Sequence, residues 1–360
     1  MDYSIFKNKK VLLTGHTGFK GAWLAIWLEH LGAHVVGISL DPLYQDGVFM
    51  RSEIGERMVD HRVDIRDGKA LQRIFTEEQP EIVFHLAAQA LVLDSFTDPV
   101  GTFASNIMGT VNVLEAIRHT SSIKAAVIVT TDKCYENREW AHGYRESDPM
   151  GGHDPYSASK GAAEIVIASY RRSFFSQVGT AGIASARAGN VIGGGDWSAN
   201  RIVPDIIKAL ERGEPVRVRN ATSIRPWQHV LEPLSGYLLL AARLLEEKDR
   251  YAQAWNFGPL PTELYNVRDV VNAFIDYFGR GSWTSDGQTA PLHEARLLTL
   301  DISKAIQQLG WRPLLDFRKT ISLTAEWYAH FREKNALDLC RAQVQQYMDL
   351  CLNRTELQPS

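Results

Sequence analysis

The 360-residue sequence has few cysteines, little net charge and no long apolar run, and each of these features argues against a class of protein. Three cysteines, Cys134, Cys340 and Cys351, are too few for a disulfide framework, and no CxxC pair or Cys/His cluster predicts a metal site. A net charge of −3 argues against a protein that binds nucleic acid or a membrane surface. No apolar run approaches the roughly 18 residues that span a bilayer, and the N-terminus lacks the apolar core of a signal peptide. The sequence therefore predicts a cytoplasmic protein with reduced thiols.

What is present is an alternation of apolar runs and amphipathic stretches through the first half of the chain. The strand-like runs are KVLL, HVVGI, EIVFHL, AAVIV and GIASA. The helix-like segments between and after them are AWLAIWLEHL, ALQRIFTEE, SNIMGTVNVLEAIRH and SASKGAAEIVIASYRRSF. Apolar strands that alternate with helices are typical of a parallel sheet covered on both faces. We therefore predict an α/β fold with a Rossmann-type, doubly wound parallel sheet.

After Asn190 the alternation loosens into a Gly-rich GGGDW followed by shorter segments such as VPDIIKALERG and VLEPLSGYLLLAARLLEE. This pattern predicts a first domain at 1–190 and a smaller mixed C-terminal substrate lobe at 191–360, with a chain that can cross between them more than once. The stretch TISLTAEWYAHFREKNALDLCRAQVQQYMDL predicts helices that either cap the structure or form an oligomer surface.

A glycine-rich loop, TGHTGFKG, follows the first strand directly, and in it Gly15, Gly18 and Gly21 have the spacing G-x-x-G-x-x-G. One glycine permits a sharp turn, another lets the backbone approach a pyrophosphate, and the third lets the helix pack close to the strand. The helix N-terminus then presents N–H groups and the positive end of its dipole to phosphates. Because the loop follows a strand and opens a helix, we predict a dinucleotide site that includes Thr17 and Phe19.

Two later strand ends extend this predicted site. Asp64 and Ile65 follow the presumed third strand, where the carboxylate could accept a hydrogen bond from the adenine amino group or cap the strand end. The sequence leaves both roles open. Leu86, Ala87 and Ala88 end the fourth strand in HLAAQ, where small residues let a cofactor lie against the backbone.

The end of the second strand bears on the choice between NAD and NADP. It reads GISLD, with Ser39 where an acid usually holds the adenosine ribose and Asp41 two residues later. We predict NAD, because no Arg is nearby for a 2′-phosphate.

Tyr156 and Lys160 in YSASK are spaced i and i+4, which places them on one face of a helix. A cationic lysine beside a phenol stabilises the phenolate, so we expect the pKa of Tyr156 to fall from about 10 toward neutrality. The phenolate could then take a proton from a sugar hydroxyl while a nicotinamide receives hydride. An ordinary surface helix could carry the same pair, but the preceding glycine-rich loop favours the catalytic interpretation.

These motifs together resemble the extended short-chain dehydrogenase/reductase superfamily. The resemblance rests on TGHTGFKG, HLAAQ, SNIMGT with its Asn106, TTD, YSASK and the closing LTLDISKAIQQLGWRP, and it covers nearly the whole chain. It implies that Asn106 belongs to the cofactor site. The Thr-Asp at the strand end is similar to the nucleotide-sugar 4,6-dehydratases, most of which carry Glu where this chain has Lys133. The combination of TGHTGFKGAWL, TTDKCYEN, RAGNVIGGGDW and RPWQHVLEP closely resembles the CDP-glucose 4,6-dehydratase family.

The resemblance implies a lyase in which Tyr156, aided by Lys160 and Thr131, oxidises carbon 4 of CDP-glucose with tightly held NAD. Water then leaves from carbon 6 and hydride returns there, giving a CDP-4-keto-6-deoxy sugar, a precursor of the dideoxyhexoses of bacterial surface polysaccharides such as O-antigen. We predict Asp132 as the acid for the departing hydroxyl. Lys133 is predicted as the base at carbon 5, neutral through burial and the charge of Lys160, or alternatively as a charged group that orients the substrate.

Substrate residues are implied by their places in the same motifs. Asn190, Arg201 and Arg225 would hold the diphosphate, with Arg217 as a weaker candidate, because an Arg can bind two phosphate oxygens at once. The resemblance assigns NAD to the first domain and the nucleotide sugar to the C-terminal lobe. It also implies a homo-oligomer, either a dimer or a tetramer.

Several further residues have two possible roles. Trp197, Trp227 and His229 could wall the pocket, although core packing is the more usual role of each Trp. His293 and Glu294 precede the closing motif, and the sequence does not decide between recognition of the base and a structural role.

Three alternative functions stay open. One is dehydration of a GDP or dTDP sugar, and another is 4-epimerisation, which needs no acid–base pair at the strand end. The third is a non-enzymatic NAD(P)-sensing regulator, which could lose Tyr156 or Lys160 without penalty, although both are present.

Overall fold

The structure is a computed structural model that describes residues 3–262, 264–285 and 297–356. Its strands are β1 (Lys10–Thr14), β2 (His34–Ser39), β3 (Val59–Arg62), β4 (Ile82–His85), β5 (Ala125–Val129), β6 (Gly182–Ala188), β7 (Val191–Ile192), β8 (Val216–Val218), β9 (Ile224–Arg225), β10 (Gln228–His229), β11 (Ala254–Phe257), β12 (Tyr265–Asn266) and β13 (Trp283–Ser285). Its α-helices are α1 (Phe19–His30), α2 (Val48–Ser52), α3 (Gly68–Glu78), α4 (Val92–Thr97), α5 (Pro99–Phe103), α6 (Gly109–Arg118), α7 (Pro155–Phe174), α8 (Ile202–Arg212), α9 (Leu231–Glu246), α10 (Lys248–Tyr251), α11 (Val267–Phe278), α12 (Phe317–His330) and α13 (Ala336–Glu356). Short 3₁₀ helices cover Tyr3–Phe6, Ile54–Arg57 and Asp132–Cys134, and π-helical turns cover Ala104–Met108 and Ala305–Leu309.

Seven strands form one parallel sheet in the order β3-β2-β1-β4-β5-β6-β11. The order reverses between β1 and β4, which makes the sheet doubly wound and confirms the predicted α/β class. All the strand-like runs of the sequence lie in this sheet. In such sheets ligands bind beyond the carboxyl ends of the strands, at the point where the order reverses.

Both faces of the sheet are covered, as the apolar strands predict. In β1, Val11 and Leu13 point into the larger core, and Leu12 between them points into the smaller one. The larger core also holds Trp27 of α1, and the smaller one holds Val113 of α6. Every residue of β4, β5 and β6 is buried. These strands therefore give firm support to the loops that follow their carboxyl ends.

The chain returns to the central sheet after residue 190, where β11 pairs in parallel with β6. The predicted division at residue 190 lies just after the end of β6, and the two domain bounds stay a prediction. The last helix, α13, packs against α1: the rings of Trp27 and Tyr347 lie 5.7 Å apart, and Arg341 lies 2.6 Å from Glu29. This packing is the predicted cap.

Three small sheets, β7–β10, β8–β13 and β9–β12, and the helices α8 and α11 form the smaller lobe beside the strand ends. In the residues that the structure describes, no helix is both long and apolar enough to cross a membrane. The same residues contain no group of three or more His, Cys, Asp and Glu side chains placed to hold a metal ion.

Candidate active site

One cleft of about 1070 Å³ lies at the carboxyl ends of the central strands and collects the predicted site residues, with the exception of Asn106. The predicted residues that line it are Gly15, Thr17, Gly18, Phe19, Gly21, Asp64, Ile65, Leu86, Ala87, Ala88, Thr131, Asp132, Lys133, Tyr156, Lys160, Asn190, Arg201, Arg217 and Arg225. The lining residues come both from the predicted first domain and from the chain after residue 190.

The glycine-rich loop forms a cradle that larger residues could not form. Gly15 has a φ of +79°, and a side-chain carbon added to it would lie 2.7 Å from the backbone nitrogen of Ala87. A carbon added to Gly21 would lie 2.0 Å from the carbonyl oxygen of Gly15, so α1 approaches the turn this closely because position 21 lacks a side chain. Gly18 precedes α1, whose first turn lines the cleft. These features fit a group that lies against backbone at a helix N-terminus, such as a pyrophosphate.

Arg62, the last residue of β3, lies beside the end of β2, so the prediction that no Arg is near this position is wrong. Parallel pairing of β2 with β3 places Arg62 opposite Ser39, although the two are far apart in sequence. The guanidinium is 2.7 Å from a carboxylate oxygen of Asp60 and 3.9 Å from one of Asp41, so two acids balance its charge. The hydroxyls of Ser39 and Thr17 lie 2.7 Å apart.

Asp64 lines the cleft and also stabilises its own turn. Its carboxylate accepts a hydrogen bond of 2.8 Å from the backbone N–H of Arg66 and one of 2.6 Å from the guanidinium of Arg66. These bonds lower the pKa of Asp64 below its ordinary value. The sequence left two roles open for Asp64. Its hydrogen bonds to Arg66 are those of a strand-end cap. Recognition of adenine stays a prediction.

Asn106 lies in the π-helical turn and is buried behind the cleft. Its amide donates hydrogen bonds to the carbonyl of Gln89 at 3.0 Å and to the hydroxyl of Ser159 at 2.9 Å, and its oxygen accepts from the N–H of Gln89 at 2.8 Å. Ser159 in turn donates to the carbonyl of Tyr156 at 2.7 Å. Asn106 therefore ties the loop after β4 to the helix of Tyr156, and the contact with the cofactor that the resemblance implied stays a prediction.

The segment that follows β5 carries a buried acid. Asp132 and Thr131 are buried, and the Thr131 hydroxyl donates a hydrogen bond of 3.0 Å to the Asp132 carboxylate. Burial raises the pKa of Asp132 above its ordinary value, while the charges of Lys133 and Arg225 oppose the shift. Lys133 lines the cleft and is partly exposed. Asp132 is therefore more easily protonated than a surface carboxylate, as a general acid must be.

Tyr156 and Lys160 lie in the first turns of α7 and are both buried against the cleft. Burial raises the pKa of Tyr156 to about 12, although the nearby Thr131 hydroxyl and the charge of Arg201 oppose the shift in part. The expected fall toward neutrality is therefore wrong for this structure, because desolvation of the phenolate outweighs the stabilising groups. Burial also lowers the pKa of Lys160 to about 8, while the charge of Glu164 opposes that shift.

A buried polar network lies beneath these groups and was not predicted from the sequence. Glu164 accepts hydrogen bonds from Thr130 at 2.5 Å, from Ser185 at 2.8 Å and from Arg187 at 2.8 Å. Arg187 also donates to the Tyr135 hydroxyl at 2.6 Å. The network joins α7, β6 and both ends of the segment that carries the predicted acid.

Lys20 is a second feature that sequence reasoning missed. It lies in the first turn of α1, lines the cleft, and its ammonium is 6.0 Å from the ring centre of Tyr237. Burial lowers the pKa of Lys20 to about 7, helped by the charges of Arg201 and Lys160 and opposed by Asp132. A cation is unfavourable at a helix N-terminus, so a lysine between the glycines of the loop was the signal available in the sequence.

The predicted diphosphate residues lie in or directly before four elements that follow β6 along the chain. Arg201 stands at the start of α8, with its guanidinium 2.8 Å from the buried carboxylate of Asp196. Arg217 lies in β8, Arg225 lies in β9, and Asn190 directly precedes β7. They share the cleft with the predicted catalytic residues, which is the arrangement that a nucleotide sugar requires.

The sequence left two possible roles for Trp197, Trp227 and His229, and the structure places some of them in the cleft and others in the core. Trp227 lines the cleft, whereas Trp197 and His229 are buried and are not among the residues that line it. Core packing is therefore the role that the structure gives Trp197 and His229. His293 and Glu294 lie outside the described residues.

Comparison with known proteins identifies the family of this chain. Residues 12–324 match the family model of the GDP-mannose 4,6 dehydratases. The chain belongs to this family. Membership of the GDP-mannose 4,6 dehydratase family confirms the resemblance to nucleotide-sugar dehydratases that the sequence motifs indicated.

Individual relatives cover nearly the whole chain. A CDP-glucose 4,6-dehydratase from Salmonella typhimurium is 46% identical over 354 residues, which are 97% of this chain and 98% of that protein. A dTDP-glucose 4,6-dehydratase from Streptomyces antibioticus is 30% identical over 331 residues, covering 88% of this chain and 92% of that protein. Among solved structures, the complex of Thermus thermophilus UDP-glucose 4-epimerase with NAD is similar, with a TM-score of 0.77 and 26% identity over 89% of this chain and 99% of that one.

Proposed function

We propose that this protein is an NAD-dependent dehydratase that converts CDP-glucose to the CDP-4-keto-6-deoxy sugar and water. The observation that carries the proposal is a buried acid, Asp132, in the same cleft as Tyr156 and Lys160. A redox pair alone would serve an epimerase, whereas loss of water also needs an acid. The choice of CDP-glucose is supported by the 46% identity to a protein named for that substrate.

NAD fits the glycine cradle, because Gly15 and Gly21 leave space that any side chain would fill. The residues that would hold it are those of the loop from Gly15 to Gly21, with Ala87 and Asp64 at the neighbouring strand ends. When bound, NAD accepts hydride from a sugar carbon and gives it back. The choice of NAD is further supported by the similar epimerase structure, which contains NAD. The two acids beside Arg62 disfavour the extra phosphate of NADP.

Tyr156 is proposed to accept the proton of the sugar 4-hydroxyl. A phenolate is a strong base, and the pKa of about 12 that burial gives Tyr156 makes it stronger than a free tyrosine. The Lys160 ammonium and the Thr131 hydroxyl stabilise that phenolate. Their placement by α7 and by the segment after β5 keeps all three groups on the same side of the cleft.

Elimination of water then needs an acid at carbon 6 and a base at carbon 5. Asp132 is proposed as the acid, because burial raises its pKa and so favours the protonated form. Lys133, the next residue, lines the cleft and is proposed as the base. The diphosphate would be bound by Arg201, Arg225 and Asn190, with Arg217 as a further contact.

The proposal is tested by incubating the purified protein with CDP-, UDP-, dTDP- and GDP-sugars and NAD and reading the alkali-induced absorbance of a 4-keto sugar. Keto sugar from CDP-glucose is the expected result. If another nucleotide sugar gives the keto sugar and CDP-glucose does not, that other sugar is the substrate. Inverted configuration at carbon 4 without loss of water would indicate an epimerase, and NAD binding without turnover of any sugar would indicate a regulator.

We also propose that the enzyme acts in the cytoplasm as a homo-oligomer, a dimer or tetramer. Exposed apolar side chains along α4, α5 and the following π-helical turn support this assembly: Phe96 at 45% exposed, Val100 at 77%, Phe103 at 37% and Met108 at 53%. Light scattering during size-exclusion chromatography measures the assembly directly, and a monomer at micromolar concentration would reject it.

A further inference from the structure

His85, the last residue of β4, belongs to a buried chain of hydrogen bonds that begins beside the glycine-rich loop. Its Nδ1 lies 2.6 Å from the hydroxyl of Thr14, the last residue of β1, and its Nε2 lies 3.2 Å from the hydroxyl of Thr110 in α6. The three side chains are at most 4% exposed. Because Thr14 directly precedes Gly15, the imidazole connects the glycine-rich loop with α6.

The hydrogen bonds around Thr14 fix which nitrogen of His85 carries the proton. Within the described part of the chain, three groups lie at hydrogen-bond distance from the Thr14 hydroxyl oxygen. Two are the backbone N–H groups of Leu86 and Ala87, each 3.2 Å away, which can only donate. The third is Nδ1 of His85, so the Thr14 proton points to Nδ1, which must accept it. The proton of the neutral imidazole is then on Nε2 and is donated to Thr110.

The chain continues to the helix that carries Tyr156. Thr110 donates its own proton to the backbone carbonyl of Asn106 at 2.8 Å. The Asn106 amide donates to the hydroxyl of Ser159 at 2.9 Å, and Ser159 donates to the carbonyl of Tyr156 at 2.7 Å. Each hydroxyl gives its single proton once, and Asn106 and Ser159 are at most 1% exposed. The imidazole of His85 therefore links the end of β1 to the first turn of α7.

Burial keeps this imidazole neutral. It lowers the pKa of His85 to about 3, and the charge of Lys160 acts in the same direction. A protonated imidazole would carry an N–H on both nitrogens, and Nδ1 could then not accept the proton of Thr14. The neutral form with its proton on Nε2 leaves neither of the two threonine hydroxyls without a partner.

We propose that His85, with its proton on Nε2, is a positioning residue that holds the helix of Tyr156 in place relative to bound NAD. The proposal rests on the proposed function, in which Tyr156 takes a proton while hydride passes to NAD. The sugar carbon, the nicotinamide and the phenol must be aligned for both transfers, and a displacement of about 1 Å can slow such a step about a hundred-fold. His85 is not among the residues that line the cleft, so it acts through Thr14 on one side and Thr110 on the other.

Two substitutions each remove one half of the link. His85→Asn has the shorter side chain, which keeps an acceptor near Thr14 and loses the contact with Thr110. His85→Gln has the longer one, which keeps a donor near Thr110 and loses the acceptor for Thr14. Stopped flow measures the single-turnover formation of NADH from saturating CDP-glucose, and calorimetric titration measures the Kd of NAD. His85→Asn should form NADH about a hundred-fold more slowly with an unchanged Kd, whereas His85→Gln should be slow and also bind NAD more weakly.

Thr110→Val removes the same contact from its other side and should reproduce the effect of His85→Asn. The double variant should be no slower than either single variant, because both changes break one link. Thr120→Val is the matched control: the buried Thr120 hydroxyl also donates to the carbonyl four residues earlier, that of Ala116, but it has no contact with the chain. Thr120→Val should form NADH at the wild-type rate.

The position of the proton is measured in the wild type. Proton–nitrogen NMR correlations over two bonds, on protein labelled with nitrogen-15 histidine, should show His85 protonated on Nε2, with His85→Asn identifying its signals. A proton on Nδ1 would overturn the proposal. So would losses of rate that multiply in the double variant, or variants that unfold in less urea but form NADH at the wild-type rate while folded. If the wild type forms no NADH from any nucleotide sugar, the proposed function fails, whereas the proton position and the NAD affinities still test the chain.

Discussion

Glu164 and Arg187 form a buried ion pair beneath the segment that carries Asp132, with 2.8 Å between a carboxylate oxygen and a guanidinium nitrogen. Both side chains are at most 4% exposed. Glu164 accepts a hydrogen bond from Thr130, and Arg187 donates one to Tyr135. Because Thr130 and Tyr135 flank the segment that carries Asp132, the pair fixes that segment at both ends.

Removing one partner of this pair should destabilise the protein strongly. Glu164→Gln leaves the Arg187 charge buried without its carboxylate, and the free energy of unfolding in urea should fall by about 3–5 kcal/mol. The exposed pair of Arg243 and Glu246 is the matched control, and Glu246→Gln should change that free energy by about 1 kcal/mol or less. Equal effects of the two variants would show that burial does not increase the contribution of the Glu164 pair to the free energy of unfolding.

This network also shows where sequence reasoning stops. The parallel sheet, the glycine loop and the groups at the strand ends follow from local patterns, because each depends on residues close in sequence. The pairing of Glu164 with Arg187 and the position of Arg62 opposite Ser39 depend on which strands become neighbours. The high pKa of Tyr156 likewise comes from burial by the whole fold, which the spacing of YSASK does not contain.

Tyr156→Phe should keep the fold and the binding of NAD while losing hydride transfer by about a thousand-fold or more, because the variant has no group to accept the proton of the 4-hydroxyl. Single-turnover formation of NADH measures the loss, and calorimetric titration with NAD measures binding. Tyr277, which is 42% exposed, provides the control, and Tyr277→Phe should react at the wild-type rate. Turnover of Tyr156→Phe near the wild-type rate would remove Tyr156 from the mechanism.

The pH dependence of oxidation should report Lys160. Burial lowers the pKa of Lys160 to about 8, so the ammonium that is proposed to stabilise the phenolate is present below about pH 8 and is lost as the pH rises above it. The rate of NADH formation should therefore fall on the alkaline side. Lys160→Arg keeps a positive charge at those pH values, so its alkaline limb should move to higher pH whatever its absolute rate. A wild-type rate that continues to rise above about pH 8 would assign the titration to Tyr156, whose phenolate fraction grows with pH.

Arg225→Ala should chiefly weaken the binding of CDP-glucose, because a contact to the diphosphate is made equally in the ground and transition states. Loss of one charge-assisted hydrogen bond should raise the Michaelis constant by the equivalent of about 1.5–3 kcal/mol and leave kcat nearly unchanged. Arg212→Ala, at the exposed end of α8, is the control for removal of a positive charge from the lobe. If the Michaelis constant stays the same in Arg225→Ala, the diphosphate lies elsewhere in the cleft.

Lys133 should prove to be the base at carbon 5. It follows the proposed acid directly and lines the cleft. In D2O, Lys133→Met should still oxidise carbon 4 and accumulate NADH, because neither Tyr156 nor Lys160 is altered. Incorporation of deuterium at carbon 5, measured by mass spectrometry of the sugar, should slow by about a hundred-fold, since the variant has no amine to remove that proton. Lys124→Met, at an exposed site before β5, should incorporate deuterium at the wild-type rate. If Lys133→Met also exchanges the proton at the wild-type rate, Lys133 serves to orient the sugar, and Asp132 is the one member of the adjacent pair that transfers a proton.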